Sequence, residues 1–410
     1  MTVPSVFPSG SRRVALAVAG AAVLTRVLFQ IAVFEDRTYF NDERNYLAEA
    51  ERVAAGEVWG TQARYPPGPV YFMAAGLAAG LDLRGLRVAQ AVLGGVAAGL
   101  VVVLGTMLFG PATGALAGAA TALYPYLNYV SGVLYVQNQV IPLLLFLLLA
   151  LYRRQEGGGA GWVGGAGAAL GVAGNFMPPM FLVAPAVAIW HGLRVRPLRR
   201  GAMDVVLLTA VTVATLVPVT IRNYRHEHRF IFVSSHGAGS LYWANNPDVD
   251  PLSRDADRWV KRNVEDRKRE QAEEGWSNAQ MDSALVARAL AFMRDEPGRF
   301  LRNYFLRLAV MWSPVPRPWT ENAHTGGGEY LIAAASSAPA ILLGLAGMIA
   351  FARDWRRLFP IFAIPLLLTA VFSLFHTTVR YRLTFEPLLL LLGAAIVVRW
   401  LARARGRRSA

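Results

Sequence analysis

Long apolar runs, interrupted by short basic clusters, set the pattern of this chain. Met203 to Ile221 and Tyr330 to Ala352 are each close to the roughly 20 residues a helix needs to cross a bilayer. The first run, Val14 to Phe34, follows Arg12 and Arg13, so positive charge predicts a cytoplasmic N-terminus and places Glu35 on the far side. No small-residue cleavage site is evident, and an uncleaved first helix is expected. Further spans are predicted near 88–109, 112–129, 133–152, 160–176, 178–192, 203–221, 331–352, 358–375 and 383–402, about ten helices with both termini inside. The basic clusters at Arg153-Arg154, Arg194 to Arg200, Arg353 to Arg357 and Arg399 to Arg408 are the expected cytoplasmic markers. Pro66 to Leu81 is too short to span and opens on Pro66-Pro67-Gly68-Pro69, so an outer interfacial or re-entrant helix is expected there. Asn175 to Pro179 predicts a sharp external turn.

Composition agrees with this picture. Of 410 residues, 54% are hydrophobic and 17% charged, which excludes a purely soluble domain. The net charge of +14 lies largely at the ends of apolar runs, so membrane topology explains it and nucleic-acid binding is not expected. Cysteine is absent, which removes disulfides, thiolate nucleophiles and cysteine-bound zinc. An alanine-, arginine-, glycine- and leucine-rich, lysine-poor chain points to a GC-rich bacterial genome and its inner membrane. Three parts are expected: a transmembrane module over 1–221 with an external loop at 35–87, an extracytoplasmic segment at 222–329, and C-terminal helices with a basic tail at 330–410. Within the second part, Asp255 to Arg302 carries Leu285, Ala289, Phe292 and Met293 at helical spacing, as in a small amphipathic cap.

Residues suited to chemistry gather outside the membrane. Adjacent Asp42 and Glu43 follow the first helix, where desolvation can raise one carboxyl pKa and make it a general base. A solvated helix start, with Asp42 as the N-cap and Glu43 favouring the helix dipole, explains them equally well. Arg64 precedes the proline segment beside Tyr65 and Tyr71, and can serve as a phosphate ligand or an interfacial anchor. Arg222-Asn223 ends a span and leads to Phe230 to Val233, whose alternation predicts a short strand, and then to a Gly237 to Pro247 turn containing Asn245 and Asn246. Arg380-Tyr381-Arg382, between the last two spans, places arginines on the outer side against the usual charge bias, which suits an anionic lipid headgroup. No phosphate-binding glycine loop or metal-ligand spacing is present.

In this order the motifs resemble the GT-C superfamily of membrane glycosyltransferases, specifically polyprenyl-phosphate-sugar users related to protein O-mannosyltransferases and aminoarabinose transferases. The resemblance rests on Asp42-Glu43 with Tyr46, Pro66-Pro67, Arg222-Asn223, the Gly237 to Pro247 turn, Glu296-Pro297 and Arg380-Tyr381-Arg382. It implies an all-α polytopic GT-C fold and a glycosyltransferase with Asp42 as catalytic base. The donor would be a sugar on an undecaprenyl or decaprenyl phosphate, and the acceptor a lipid, glycan or protein. Glu43 would orient the acceptor or bind a divalent cation (Mg or Mn) where relatives use one, and Arg64, Arg222, Arg380 and Arg382, with Tyr381, would meet the donor phosphate. Tyr46, Tyr65, Asn223, Asn245, Asn246 and Gln137 are the candidate substrate contacts. The chain departs from the family pattern at Met177-Pro178, where relatives often carry Arg-Pro, and at Gln137-Asn138, where many carry an acid. A lipid-linked-sugar flippase, needing ionisable residues such as Arg26 and Glu386 within the spans, and a noncatalytic scaffold are the alternatives.

Overall fold

A computed structural model describes residues 9–57, 65–253, 256–316 and 327–406. The described residues are helical, with no strand among them. Helix α1 (Ser9–Val33) leads outward to α2 (Asn41–Ala54) and α3 (Pro67–Ala78), and α4 (Leu83–Phe109) returns through the membrane. Then follow α5 (Pro111–Leu123), α6 (Pro125–Gly132), α7 (Gln137–Gln155), α8 (Gly161–Phe176), a 3₁₀ turn at Pro178–Leu182, α9 (Val183–Arg194) and α10 (Leu198–Glu227). The outer segment holds α11 (His236–Ala244), α12 (Ala256–Glu273), α13 (Asn278–Asp295) and α14 (Pro297–Met311). The chain closes with α15 (Gly327–Ala350), α16 (Trp355–Phe372), a 3₁₀ turn at Val379–Thr384 and α17 (Glu386–Gly406).

Six of these helices, α1, α4, α10, α15, α16 and α17, are long and apolar enough to cross a bilayer, against the ten expected. The other expected positions are helical but fall short for physical reasons. Pro125 divides one into α5 and α6, α8 has 16 residues and α9 only 12, and α7 opens on three amides, Gln137, Asn138 and Gln139. Helix α3, with 12 residues, is the expected non-spanning outer helix and packs against α2 and α8.

Solvent of two kinds shapes the packing. On α1, Leu16, Leu24, Leu28 and Ile31 are exposed, as are Met203 and Val206 on α10 and Leu342 and Ile349 on α15, the surface expected where lipid replaces water. Helices α7 and α17 lie inside, with Leu144, Leu147, Leu148, Leu388, Leu389 and Leu391 fully buried in one core. Small residues permit close approach between α4 and α5, where a Cβ on Gly105 would lie 2.8 Å from the Cα of Gly114.

The buried Arg26 has a structural use. Pro125 has no N–H to offer the Thr121 carbonyl four residues back. Arg26 supplies the donor instead: its guanidinium reaches Thr121 O at 3.3 Å and Ala122 O at 3.3 Å, and Thr25 adds a bond to Ala122 O at 3.2 Å. The in-span acid Glu386 pairs with Arg382 of the preceding turn at 3.3 Å, and both side chains are fully buried. Both groups invoked for an ion pathway are therefore committed to internal bonds.

Two local expectations are corrected. Residues 230–233 form no strand; the alternation is real, with Ile231 and Val233 buried and Phe230 and Phe232 exposed. The carbonyls of this segment pair with side chains instead, Asn223 donating to Ile231 O at 3.1 Å and Val233 O at 2.9 Å, and Thr220 to Phe232 O at 2.9 Å. The expected turn from Gly237 is the helix α11, and the turn begins only at Asn245. In the cap, Leu285, Ala289 and Phe292 form the buried face of α13.

Candidate active site

The loop leaving α1 is held by buried donors. Arg87 of α4 donates to Glu35 O at 2.7 Å and Arg37 O at 2.6 Å, while Gln30 Nε2 bonds Arg87 O at 3.1 Å and Ser131 O at 2.9 Å. Tyr39 accepts the Glu35 N–H on its hydroxyl at 2.7 Å. The N-cap of α2 is Phe40, not Asp42. A cap without a polar side chain leaves helix-end donors open, and Glu43 takes over the region. It is fully buried, accepts from the amides of Tyr39 and Phe40, the latter at 2.9 Å, and with its second oxygen from Leu134 N at 3.0 Å. Both oxygens are thus occupied by backbone. Glu43 thereby positions α2 against the α6–α7 turn, where the expectation was an acceptor or cation contact. Among the described residues no three His, Asp or Glu side chains converge as a metal cluster.

With Glu43 turned inward, Asp42 in the first turn of α2 faces the outer side of the site. Its Oδ2 lies 2.7 Å from the Arg380 guanidinium, and the Asp42 side chain remains 39% accessible. Arg380 is sandwiched by rings, 4.5 Å above Tyr135 and 5.2 Å from Tyr381, and Tyr381 stacks on Phe372 at 4.6 Å. Such cation–π contacts hold a guanidinium without neutralising it. A second aromatic series leads away from Asp42: Tyr46 meets Tyr65 edge-on at 5.5 Å, Tyr65 lies 6.2 Å from His236, and His236 lies 5.5 Å from Trp243 of α11. Rings of this kind suit the apolar faces of a sugar, and the tyrosine hydroxyls its polar edge.

Electrostatics in this recess run opposite to the sequence expectation. Burial pushes the Asp42 carboxyl up, but the Arg380 guanidinium, aided by His236 and His376, more than offsets it and the carboxyl titrates below its ordinary value. It is therefore a carboxylate at neutral pH. His376 is pulled down to about 4 by burial first and by Arg380 second, so its imidazole is neutral there. Tyr46 is held protonated by burial and by the nearby Asp42 charge.

The remaining candidates separate into two groups. Asp42, Tyr46, Tyr65, Arg380 and Tyr381 are brought together; Arg64 lies outside the described residues. Asn223, Asn245 and Asn246 are buried and bonded to backbone, Asn245 to Leu374 O at 2.8 Å and Asn246 to Tyr242 O at 2.8 Å, so their amides brace the segment that follows α10. Arg382 is likewise internal, donating to Met311 O at 2.9 Å and Ser313 O at 2.6 Å besides its Glu386 pair. These contacts engage Nε and Nη1 of the guanidinium inside the protein, where the expectation was a donor phosphate. Gln137 is buried, and its Oε1 has no hydrogen-bond partner among the described residues. Arg222 bonds Asn223 Oδ1 at 3.0 Å and lies in the field of Tyr71 of α3, Glu227 of α10 and Glu49 of α2. Close by, Pro67, Gly68, Tyr71, Phe72, Val172, Asn175, Phe176 and Val219 line an open groove of about 370 Å³ between α3, α8 and α10. Tyr135, His236 and His376 were missed as members of one site. No spacing signals that association, because the three stand on separate turns that only the tertiary fold unites.

This is a multi-pass helical membrane protein with a carboxylate–guanidinium pair in an aromatic recess. A family model described as dolichyl-phosphate-mannose-protein mannosyltransferase matches residues 64–221, from the proline segment to the end of α10. Among solved structures, the Archaeoglobus fulgidus oligosaccharyltransferase in complex with Zn and sulfate superimposes with a TM-score of 0.58 over 96% of this chain and 50% of that one, at 16% identity. The same enzyme, AglB, with an inhibitory peptide and a dolichol-phosphate gives 0.56 over 96% and 51%, at 16% identity. ArnT from Cupriavidus metallidurans bound to undecaprenyl phosphate is a more distant likeness, with a TM-score of 0.46, 16% identity, and coverage of 96% and 79%. The chain spans about half the length of the oligosaccharyltransferase. No curated protein sequence matches it. Over residues 64–221 the chain is similar to that mannosyltransferase family, and over nearly its whole length it shares the fold of the solved oligosaccharyltransferase.

Proposed function

We propose that the protein transfers a monosaccharide from a polyprenyl-monophosphate donor to a lipid, glycan or protein acceptor on the extracytoplasmic face of a bacterial inner membrane. The observation that carries this reading is the accessible Asp42 carboxylate paired with Arg380 within an aromatic recess. Asp42 takes the proton of the acceptor hydroxyl as that oxygen attacks the anomeric carbon. The bond from that carbon to the phosphate oxygen breaks, and polyprenyl phosphate leaves with the electron pair. Arg380, already charged and held by rings, offsets the negative charge growing on the phosphate. Because both Glu43 oxygens are engaged by backbone amides, Asp42 acts as a base alone and a single displacement inverts the anomeric centre.

The apolar groove supports a lipid-borne donor. Val219 lines it, and Arg222 follows three residues later on the same face of α10, so an isoprenoid chain in the groove brings its phosphate toward a guanidinium. Arg64 is a second phosphate ligand in this reading, and an undecaprenyl or decaprenyl chain is the carrier. The segment 222–329 selects the acceptor.

Release of polyprenyl phosphate from a panel of radiolabelled polyprenyl-phosphate sugars, by purified protein in liposomes, tests the proposal. Wild type should release it in step with a glycosylated product, and Asp42→Asn should lose about 100-fold or more, the range of a missing general base. Equal turnover by Asp42→Asn would remove Asp42 from the chemistry. Transbilayer movement of intact donor without turnover would replace the transferase with a flippase.

A further inference from the structure

Helix α14 carries a surface that the transfer reaction does not use. Its inner face is buried and polar at two points. Asn303 donates to Val249 O at 3.3 Å, and Arg307 donates to Ser373 O at 2.7 Å and to Asn245 Oδ1 at 3.0 Å, with a further bond to Ala244 O. Its outer face is apolar: Leu301 is 51% exposed and Phe305, one turn on, 61% exposed. The exposed Arg302 lies beside them. In water two adjacent large side chains exposed to this degree on a helix bolted by a buried arginine have no counterpart to cover them.

The depth of α14 is fixed by what it touches. Tyr304 donates to Ala370 O at 3.2 Å, Arg307 reaches Ser373 O, and Trp312 Nε1 reaches Thr369 Oγ1 at 3.3 Å. The contacts fall on the last turn of α16 and on its C-cap Ser373, at the end of this apolar, spanning-length helix opposite the Arg353 to Arg357 cluster. That end of a span is where hydrocarbon gives way to headgroups. Phe300, Tyr304 and Phe305 form a run of ring contacts at 6.4 and 5.5 Å, and Trp312 closes the helix, the residue types favoured at that boundary.

We propose that α14 lies in the outer leaflet of the bilayer, with Leu301 and Phe305 inserted among the upper acyl chains and Arg302 at headgroup level. An amphipathic helix in this plane buries its apolar face several ångströms into the leaflet. The same helix offers the carbonyls of Met311 and, just beyond it, Ser313 to Arg382, two residues from Arg380, and its Arg307 holds the end of α11. The lipid surface therefore supports both outer walls of the recess.

The cysteine-free sequence makes the test direct. Single cysteines at Leu301→Cys and Phe305→Cys carry a nitroxide in nanodiscs of phosphatidylethanolamine and phosphatidylglycerol, with Leu342→Cys as lipid-facing reference and Ser283→Cys as aqueous reference. Relaxation by dissolved oxygen and by a water-soluble nickel chelate reports depth. Labels at 301 and 305 should favour oxygen over nickel several-fold, as at 342, while 283 favours nickel. Nickel preference at both positions would place the face in water and overturn the proposal. Exclusion of both reagents would mean that protein covers it, a second copy or an acceptor, and would overturn it equally. Because the readout is depth and not turnover, it stands apart from the proposed reaction.

Discussion

Replacing Glu386 by glutamine tests whether the buried turn before α17 holds Arg380 in place. Glu386 and Arg382 are both fully buried, with Nε and Oε1 3.3 Å apart, and Tyr124 adds a hydroxyl bond to the same carboxylate while Ser337 bonds Tyr124 at 2.9 Å. At an effective dielectric of about 20, charges at this separation attract by about 5 kcal/mol. Desolvation of the pair cancels much of that in the folded protein, but the variant removes the attraction and leaves Arg382 buried and charged. Its two carbonyl bonds at Met311 and Ser313 persist, so the expected loss is about 3 kcal/mol, the low end for breaking a buried pair. Arg382→Met/Glu386→Gln removes both charges and should cost less than the two single changes added together. The assay is the SDS midpoint of unfolding in mixed micelles, run as a double-mutant cycle. In parallel, steady-state kinetics should show a raised KM for donor with a smaller change in kcat, because Arg380 stands two residues from Arg382 on the same turn. Additive single losses, or a Glu386→Gln midpoint equal to wild type, would refute the ion-pair clamp. Lost stability with unchanged KM would confine it to stability alone.

Three further outcomes follow from the geometry. Arg380→Gln removes the main opponent of the upward push of burial on Asp42, so the carboxyl pKa rises; since Asp42 works deprotonated in the proposed reaction, the acidic limb of kcat/KM should move to higher pH, and an unmoved limb would disconnect the pair from catalysis. In wild type the depressed Asp42 pKa contributes stability that is present above the unfolded carboxyl value and lost as pH falls through the folded one, a dependence that Arg380→Gln should weaken in pH-resolved melting. Glu43→Ala strands three buried amides and should cost about 3 kcal/mol with a falling kcat, whereas Glu43→Gln, able to accept only one set of bonds, should fall between it and wild type in the same assays. Gly94→Ala places a methyl against the Arg26 guanidinium and should lower stability by about 1–3 kcal/mol, with Arg26→Leu losing comparable stability by freeing the Thr121 and Ala122 carbonyls.

Much of the architecture was legible in the sequence because lipid imposes a simple pattern. Runs of about 20 apolar residues located α1, α4, α10, α15, α16 and α17, and Pro66-Pro67 and Pro178-Pro179 marked the outer helix α3 and the outer 3₁₀ turn. The cap helix α13 followed from Leu285, Ala289 and Phe292. Legibility failed where a side chain serves backbone. Nothing in the spacing of Glu43, Asn223, Asn245 or Arg382 distinguishes a polar residue that greets a substrate from one that pairs with a freed carbonyl or amide. Both occur at the ends of spans, where irregular backbone accumulates and its polar groups need partners. The strand expected at 230–233 failed in the same way: its alternation described burial correctly, but Asn223 and Thr220 replaced the neighbouring strand.

The α6–α7 turn explains why Asp42 and Arg380, 338 positions apart in sequence, meet within 2.7 Å. Leu134 gives its N–H to Glu43, which fixes the first turn of α2 and hence the direction of Asp42. The next residue, Tyr135, lies beneath the Arg380 guanidinium at 4.5 Å and against Phe40 at 5.3 Å. Two adjacent residues therefore set the base from one side and the cation from the other. The turn is itself anchored from below by amides in the first turn of α7: Asn138 donates to Val130 O at 2.7 Å and to Gln90 Oε1 at 2.7 Å. Asn138 thus has a defined structural task in this chain. It ties the turn to α4 without adding a second negative charge near Asp42, which leaves Arg380 with one carboxylate to balance.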